Sequence, residues 1–355
     1  MNEKLNTYLS YISGLRFWII AACMIIVIAG LKQTSFLINV VLLAMFITSI
    51  SLAPLHWLRQ KGVPEPLANI LVILGFVVIA SSTLLVIGSS AGNFMDKLPF
   101  YEERFTSLWT STNDWLLINN FVEDDFQPLD ELNPANIFSL AGSAFAGFGN
   151  VFSASLLILI IYIFMIFEAG TFGRKMNLIS PDSVGQTDRI LKSMRKYFGI
   201  KFLTSLGTGV SITIALLIIG IDFPVLWGFL AFLLNFIPSI GSFIAAIPAV
   251  LLAFIQLSPF GALITAIVYF VINTLIGNVI EPQLMGKNLG ISPLIVFIAM
   301  LFWGFILGPI GMLIATPLMI SIKIIIDSRP VTRSLGILMG DENEVKILEK
   351  EKGKE

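Results

Sequence analysis

The 355-residue chain is 56% hydrophobic and 13% charged, with a formal net charge of −1 and a mean hydropathy of +0.89. Uncharged apolar runs at 17–31 and 67–95 suit a bilayer, so this is a polytopic membrane protein, and its charge gives no argument for a nucleic-acid partner. One cysteine, Cys23, rules out an internal disulfide and any zinc site built from cysteines.

Lys4 and Arg16 precede a run of spanning length without a small-residue cleavage site, which reads as an uncleaved first span. Hydropathy places full spans at about 15–31, 35–55, 67–91, 150–169, 201–221 and 261–280. His56, beside Trp57 and Arg59 at a span end, reads as interfacial rather than as a ligand or proton relay. Arg59 and Lys61 follow the second span, and Arg174, Lys175, Arg189, Lys192, Arg195, Lys196 and Lys201 follow the fourth. Both connections are therefore expected in the cytoplasm, with the two termini on the same side. Lys192, Arg195 and Lys196 would sit against anionic lipid. The acidic connection 92–149 is expected outside. Its Leu98, Tyr101, Phe105, Leu108 and Leu116 recur at helical spacing, predicting a face laid on the membrane surface or a neighbouring subunit, or else a packed helix.

Two further apolar stretches, 223–256 and 292–327, are broken at Ile237-Pro238-Ser239-Ile240-Gly241 and Gly308-Pro309-Ile310-Gly311. An unbroken helix over 223–256 would be roughly 50 Å long at about 1.5 Å per residue, against a hydrocarbon core of about 30 Å. Folding back at the break gives arms of roughly 22 Å that enter without crossing; a tilted, proline-kinked span is the alternative. Hairpins require the second stretch to enter from the side opposite the first, so that the two tips meet near mid-membrane. They also place Lys287 in the cytoplasm, in line with the positive-inside tendency. The fold class is thus all-α: a transmembrane helical bundle of about six full spans and two Pro/Gly-interrupted re-entrant hairpins. Its segments are N-terminal transmembrane helices (1–91), an extracytoplasmic amphipathic segment (92–149), and a transmembrane helix with a basic cytoplasmic segment (150–200). A C-terminal transport region (201–328) and a charged cytoplasmic tail (329–355) follow, the tail expected to be frayed or disordered after Asp341.

Interrupted membrane helices point to a binding site, because loosened backbone in hydrocarbon needs protein, ligand or water to meet it. The candidate substrate- or ion-binding residues are Asn235, Pro238, Gly241, Asn273, Asn278, Glu281, Gly308, Pro309 and Gly311. Thr274, Asn278 and Glu281 fall on one helical face, and Pro282 is expected to end that helix. A carboxylate at membrane depth costs about 2.5–3.5 kcal/mol, so Glu281 calls for a cation, a proton or a polar cavity, unless it lies at the interface. Asp222 reads as a helix cap. Phe236, Trp303 and Phe305 are available as aromatic walls. With one histidine and no phosphate loop there is no catalytic constellation, and the chain does not read as an enzyme. No cofactor or metal is expected, apart from a coupling Na+ or H+.

Tyr197-Phe198-Gly199, the first break, Ile280-Glu281-Pro282-Gln283-Leu284-Met285-Gly286, Gly290-Ile291-Ser292-Pro293-Leu294, the second break and Ala315-Thr316-Pro317-Leu318 together resemble the autoinducer-2 exporter (AI-2E, PerM-like) family. The likeness is specific from about 197 to 327. Ser242 follows Gly241 where many relatives carry proline. The resemblance implies a homo-oligomeric permease in a bacterial or archaeal plasma membrane, with five copies a candidate number. Its members export the furanone autoinducer-2 or exchange sodium or lithium for protons. The leading expectation is ion-coupled export of an autoinducer-2-like small molecule; a Na+(Li+)/H+ antiporter, a non-transporting scaffold and a channel are the alternatives.

Overall fold

A computed structural model describes residues 2–119, 154–171, 175, 184–237, 241–285, 290–328, 331–342, 344–346 and 349. Among these every regular element is helical: α1 (Asn2–Gln33), α2 (Ser35–Gln60), α3 (Glu65–Ile118), α4 (Ala154–Thr171), α5 (Val184–Ile219), α6 (Pro224–Leu234) and α7 (Gly241–Gln256), then α8 (Pro259–Asn273), a π-helical segment (Thr274–Ile280), α9 (Glu281–Met285), α10 (Pro293–Leu307), α11 (Pro309–Asp327) and α12 (Arg333–Leu338). Among the described residues, 6 helices are long and apolar enough to cross a bilayer, and the chain is a multi-pass membrane protein. Thr34 alone separates α1 from α2; its amide donates to Gly30 and its carbonyl accepts from Ile38, so helical hydrogen bonds continue across the junction.

The third span does not stop near residue 91. α3 runs unbroken for 54 residues through Pro99, roughly 80 Å at about 1.5 Å per residue, far more than a bilayer core. Its C-terminal half packs on its own chain, the packed-helix alternative. Tyr101 is buried, and Leu98 and Phe105 join the core of α5–α8 around Phe94, Trp227 and Leu252. Lys97 and the Tyr101 hydroxyl both donate to Asp222, at 3.0 and 2.6 Å. The expectation that Asp222 caps α6 fails because Phe223 occupies the cap position with φ of 57°, and the carboxylate is committed to α3. Partial burial would raise the Asp222 pKa, but the Tyr101 and Lys97 hydrogen bonds hold the carboxyl below its ordinary range.

Both interrupted stretches fold back on themselves. In the first, the Gln256 side chain at the end of α7 accepts from the Asp222 amide just before α6, at 3.0 Å, closing the mouth of the hairpin. At its other end a Cβ on Gly241 would lie 1.7 Å from the Leu234 carbonyl oxygen, an approach that only glycine allows. In the second, Gly308 takes φ 70° and ψ −152°, a region essentially restricted to glycine, and the arms close so tightly that a Cβ on Gly311 would lie 2.1 Å from the Trp303 carbonyl oxygen. Eight residues of continuous helix would hold these positions about 12 Å apart. The mouths lie at opposite ends of the helix Pro259–Met285, whose 27 residues span about 40 Å, so the two hairpins approach each other from opposite ends of that helix.

The tips do not simply abut. Phe236 and Ile237, at the first tip, pack beside the arms of the second hairpin, with Ile320 in one cluster and Ala299, Met300 and Ala315 in the other. α5 binds the first hairpin through small residues: Gly209 and Gly228 approach so closely that a Cβ on either would lie within 2.7 Å of the other's carbonyl oxygen. The tail is tied down where it is described. Glu344 and Asp327 both pair with Lys323, a lysine only 5% exposed, and the Ser292 amide donates to the Met339 carbonyl.

Candidate functional site

Helix α8 begins at Ser258, whose hydroxyl accepts from the Gly261 amide, with Pro259 at the first helical position where its missing N–H costs nothing. It does not end at Pro282 as expected. The seven residues Thr274–Ile280 widen to π geometry, with the Glu281 amide bonding back to Ile276, and the chain re-enters α-helix through Pro282 to Met285. A proline ring clashes with the carbonyl four residues earlier, and the wider turn relieves that clash without breaking the helix. Lys196 of α5 then donates to the Met285 carbonyl at the helix end.

The widening has a second consequence. Tyr269, Asn273, Gly277 and Glu281, four residues apart, all line one cavity. In a pure α-helix at about 100° per residue, each step of four overshoots a turn by about 40°, and the stripe would drift by about 120° from first to last. Wider turns between Asn273 and Glu281 reduce that drift.

The cavity, about 790 Å³, lies between this stripe, α5 and the first hairpin. It brings together four of the candidate residues, Asn235, Asn273, Asn278 and Glu281, and adds Lys201, Ser242 and Tyr269. Lys201 is the central addition. Its ammonium lies 2.9 Å from both carboxylate oxygens of Glu281, and the Thr204 hydroxyl donates to the same carboxylate at 3.2 Å. The two charged side chains are only 7% and 15% exposed. A pair this buried has given up most of its hydration, which good geometry and the extra hydroxyl help to offset.

Asn235 ends α6 and donates to the Ser205 hydroxyl of α5 at 3.0 Å, holding the hairpin against the crossing helix. Gly241 makes the close turn described above, and its neighbour Ser242 faces the cavity. Pro238 lies outside the described residues. Gly308, Pro309 and Gly311 are not among the residues lining this cavity; they shape the second tip. The carbonyl of Leu307 at that tip is met by Asn39 of α2, which donates to it at 3.0 Å. Asn39 was legible as a lone amide in an apolar run, yet nothing in the sequence linked it to a tip 268 residues away.

The aromatic walls are Phe243, Tyr269 and Phe270 rather than Phe236, Trp303 and Phe305. Phe236 is buried edge-on against Phe46 and Phe232. Trp303 packs between the arms of the second hairpin, and Phe305 points outward with Lys32 over its ring.

Among known proteins, the family model described as "AI-2E family transporter" matches residues 21–330. A Haemophilus influenzae protein named "Putative transport protein" is 34% identical over 340 residues, covering 92% of this chain and 96% of its own. The AI-2 transport protein TqsA of Escherichia coli K12 is 30% identical over 339 residues, covering 94% and 97% respectively. With its two opposed hairpins and whole-length likeness to these transport proteins, the chain belongs to the AI-2E transporter family.

Proposed function

We propose that the protein is a secondary active exporter of a small organic molecule of the autoinducer-2 kind, working in the plasma membrane with both termini cytoplasmic and coupled to the proton gradient. The carrying observation is the cavity of about 790 Å³ whose apolar and aromatic walls surround one buried ion pair, Lys201–Glu281. That volume suits a small solute, and a few polar groups among apolar walls are the usual composition of such a site. Adding a proton to Glu281 removes the charge that Lys201 faces and leaves its ammonium without an ionic partner in the cavity wall. The protonated site therefore favours different surroundings from the ion-paired one, which supplies the two states that coupling requires. The sodium or lithium antiporter is the weaker reading, because a metal cation at Glu281 would share the carboxylate with an ammonium 2.9 Å away. The clustering of Arg59, Glu65 and the C-terminal end of α4 at one face, with the basic start of α5, supports placing that face in the cytoplasm.

Proteoliposomes loaded with the autoinducer-2 furanone test this. Efflux is expected to saturate, to depend on an imposed proton gradient, and to fall to background in Glu281→Gln. Sodium-driven pH changes that vanish in Glu281→Gln would instead support antiport. No flux under any gradient would support a scaffold.

A further inference from the structure

The cavity continues beyond its charged end. An apolar groove of about 640 Å³ runs on between α7 and α8 and shares Phe243, Ala246 and Val250 with it. From Val250 the groove follows Leu251 and Phe254 along α7, with Ala262 of α8 opposite, toward the mouth of the first hairpin. Its lining is apolar throughout, so a polar solute finds nothing there to hold it. Gln256 ends α7 just past Phe254, about 3 Å further along the helix.

Asp222 gathers three elements at that mouth. Its amide donates to the Gln256 side chain of α7, its carbonyl accepts from the Trp227 indole of α6 at 3.0 Å, and its carboxylate accepts from Lys97 and Tyr101 of α3. α3 also reaches the groove wall directly, where the rings of Phe105 and Phe254 lie 6.4 Å apart. The residue after Asp222 is strained. Phe223 is the only non-glycine among the described residues with a positive φ, 57°, which a bulky side chain rarely adopts. Such a conformation persists only where its surroundings hold it, and α3 supplies the hold, with Phe94 edge-on to the Phe223 ring at 5.7 Å and Lys97 over it at 5.4 Å. Release from α3 lets Phe223 return to negative φ, which turns the chain between the Asp222 amide and α6. From this we infer that the α7–α8 seam is the solute's path between the cavity and the mouth, and that Asp222, held by Tyr101 and Lys97 and holding Gln256, is the latch that keeps it shut. Asp222, Tyr101 and Gln256 are positioning residues: they are not among the residues lining the cavity, and they fix one end of α7, whose other end carries Ser242 and Phe243 in the cavity wall. The latch regulates the cavity of the export reading, on which its purpose rests, but it is tested without transport.

The test is the rate at which a membrane-impermeant methanethiosulfonate labels Val250→Cys, in the shared wall, in full-length protein with a Cys23→Ser background. The reagent is applied from the face that labels Leu257→Cys, an exposed position at the same mouth. Tyr101→Phe and Gln256→Leu are each expected to speed labelling of Val250→Cys about tenfold, the loss of one hydrogen bond made only in the shut state. Lys97→Met should speed it about threefold, because that lysine is half-exposed. Thr316→Cys, buried in the second hairpin, should keep its parent rate in all three. Unchanged labelling of Val250→Cys in either Tyr101→Phe or Gln256→Leu overturns the latch, and so does an acceleration that Thr316→Cys shares, which marks general loosening. If labelling behaves as expected but proteoliposomes show no gradient-driven efflux, the export reading falls and the latch stands. If efflux is gradient-driven while the latch variants leave Val250→Cys unchanged, the latch falls alone.

Discussion

Lys201→Met is expected to destabilise the protein by about 3–5 kcal/mol, the cost of leaving a buried carboxylate without its partner. The geometry makes this a damaging charge removal. Both oxygens of Glu281 lie 2.9 Å from the ammonium, and both side chains are largely shielded from solvent. Glu281→Gln strands the ammonium instead and should cost a similar amount. The double variant Lys201→Met/Glu281→Gln is expected to recover most of the lost stability, because it removes both charges and leaves an amide that can still meet Thr204. Flux should not recover with it. Thermal unfolding of the detergent-purified variants, read beside proteoliposome efflux, separates the two roles. Recovery of stability without flux assigns the pair to coupling, whereas recovery of both would make it a structural pair only.

Gly311→Ala is the second large effect. A Cβ there would lie 2.1 Å from the Trp303 carbonyl oxygen and 2.7 Å from the Leu307 Cβ, so the two arms of the second hairpin must separate. The obstruction is backbone, which cannot swing aside as a long side chain can. The expected loss is about 3 kcal/mol, the upper part of the usual overpacking range. Gly277→Ala provides the control, since nothing lies within 4 Å of its added methyl, and its thermal midpoint should match or exceed the parent's. A small shift in Gly311→Ala would mean that the arms are not in backbone contact.

What the sequence made legible was whatever local chemistry enforces. Apolar runs of spanning length located the long helices, and Pro238–Gly241 and Gly308–Gly311 marked the reversals, because no helix of that length fits a bilayer unbent. Asn273, Asn278 and Glu281 stood out as polar residues in an apolar background, and the cavity gathers them. The partner of Glu281 did not stand out. Lys201 closes a run of basic residues that reads as a lipid-facing surface, and it reaches Glu281 only through a tertiary contact 80 residues away. The π segment was equally hidden, since a reading by 3.6-residue periodicity treats Pro282 as a stop and has no way to see that a widened turn admits it. Tyr269 was missed for a related reason: at the sequence level it is one more aromatic in an apolar helix, and only its unpartnered hydroxyl distinguishes it. The helical face Leu98, Tyr101 and Phe105 was legible from its spacing, but that it continues α3 past residue 91 without a break and packs on the first hairpin was not, because hydropathy ends the span there.

The most direct test of the account is the sidedness of single cysteines placed at Leu257 and Gln283 in a Cys23→Ser background, probed in intact cells with a membrane-impermeant thiol reagent. Both positions are exposed; Leu257 lies just before, and Gln283 in the last turn of, the helix that separates the two hairpin mouths. Hairpins entering from opposite faces predict labelling of Leu257→Cys from outside and of Gln283→Cys only after the cytoplasm is opened. Labelling of Leu257→Cys solely from the cytoplasm would mean that 223–256 crosses the membrane, and the cavity between the first hairpin and the π-widened helix would not exist.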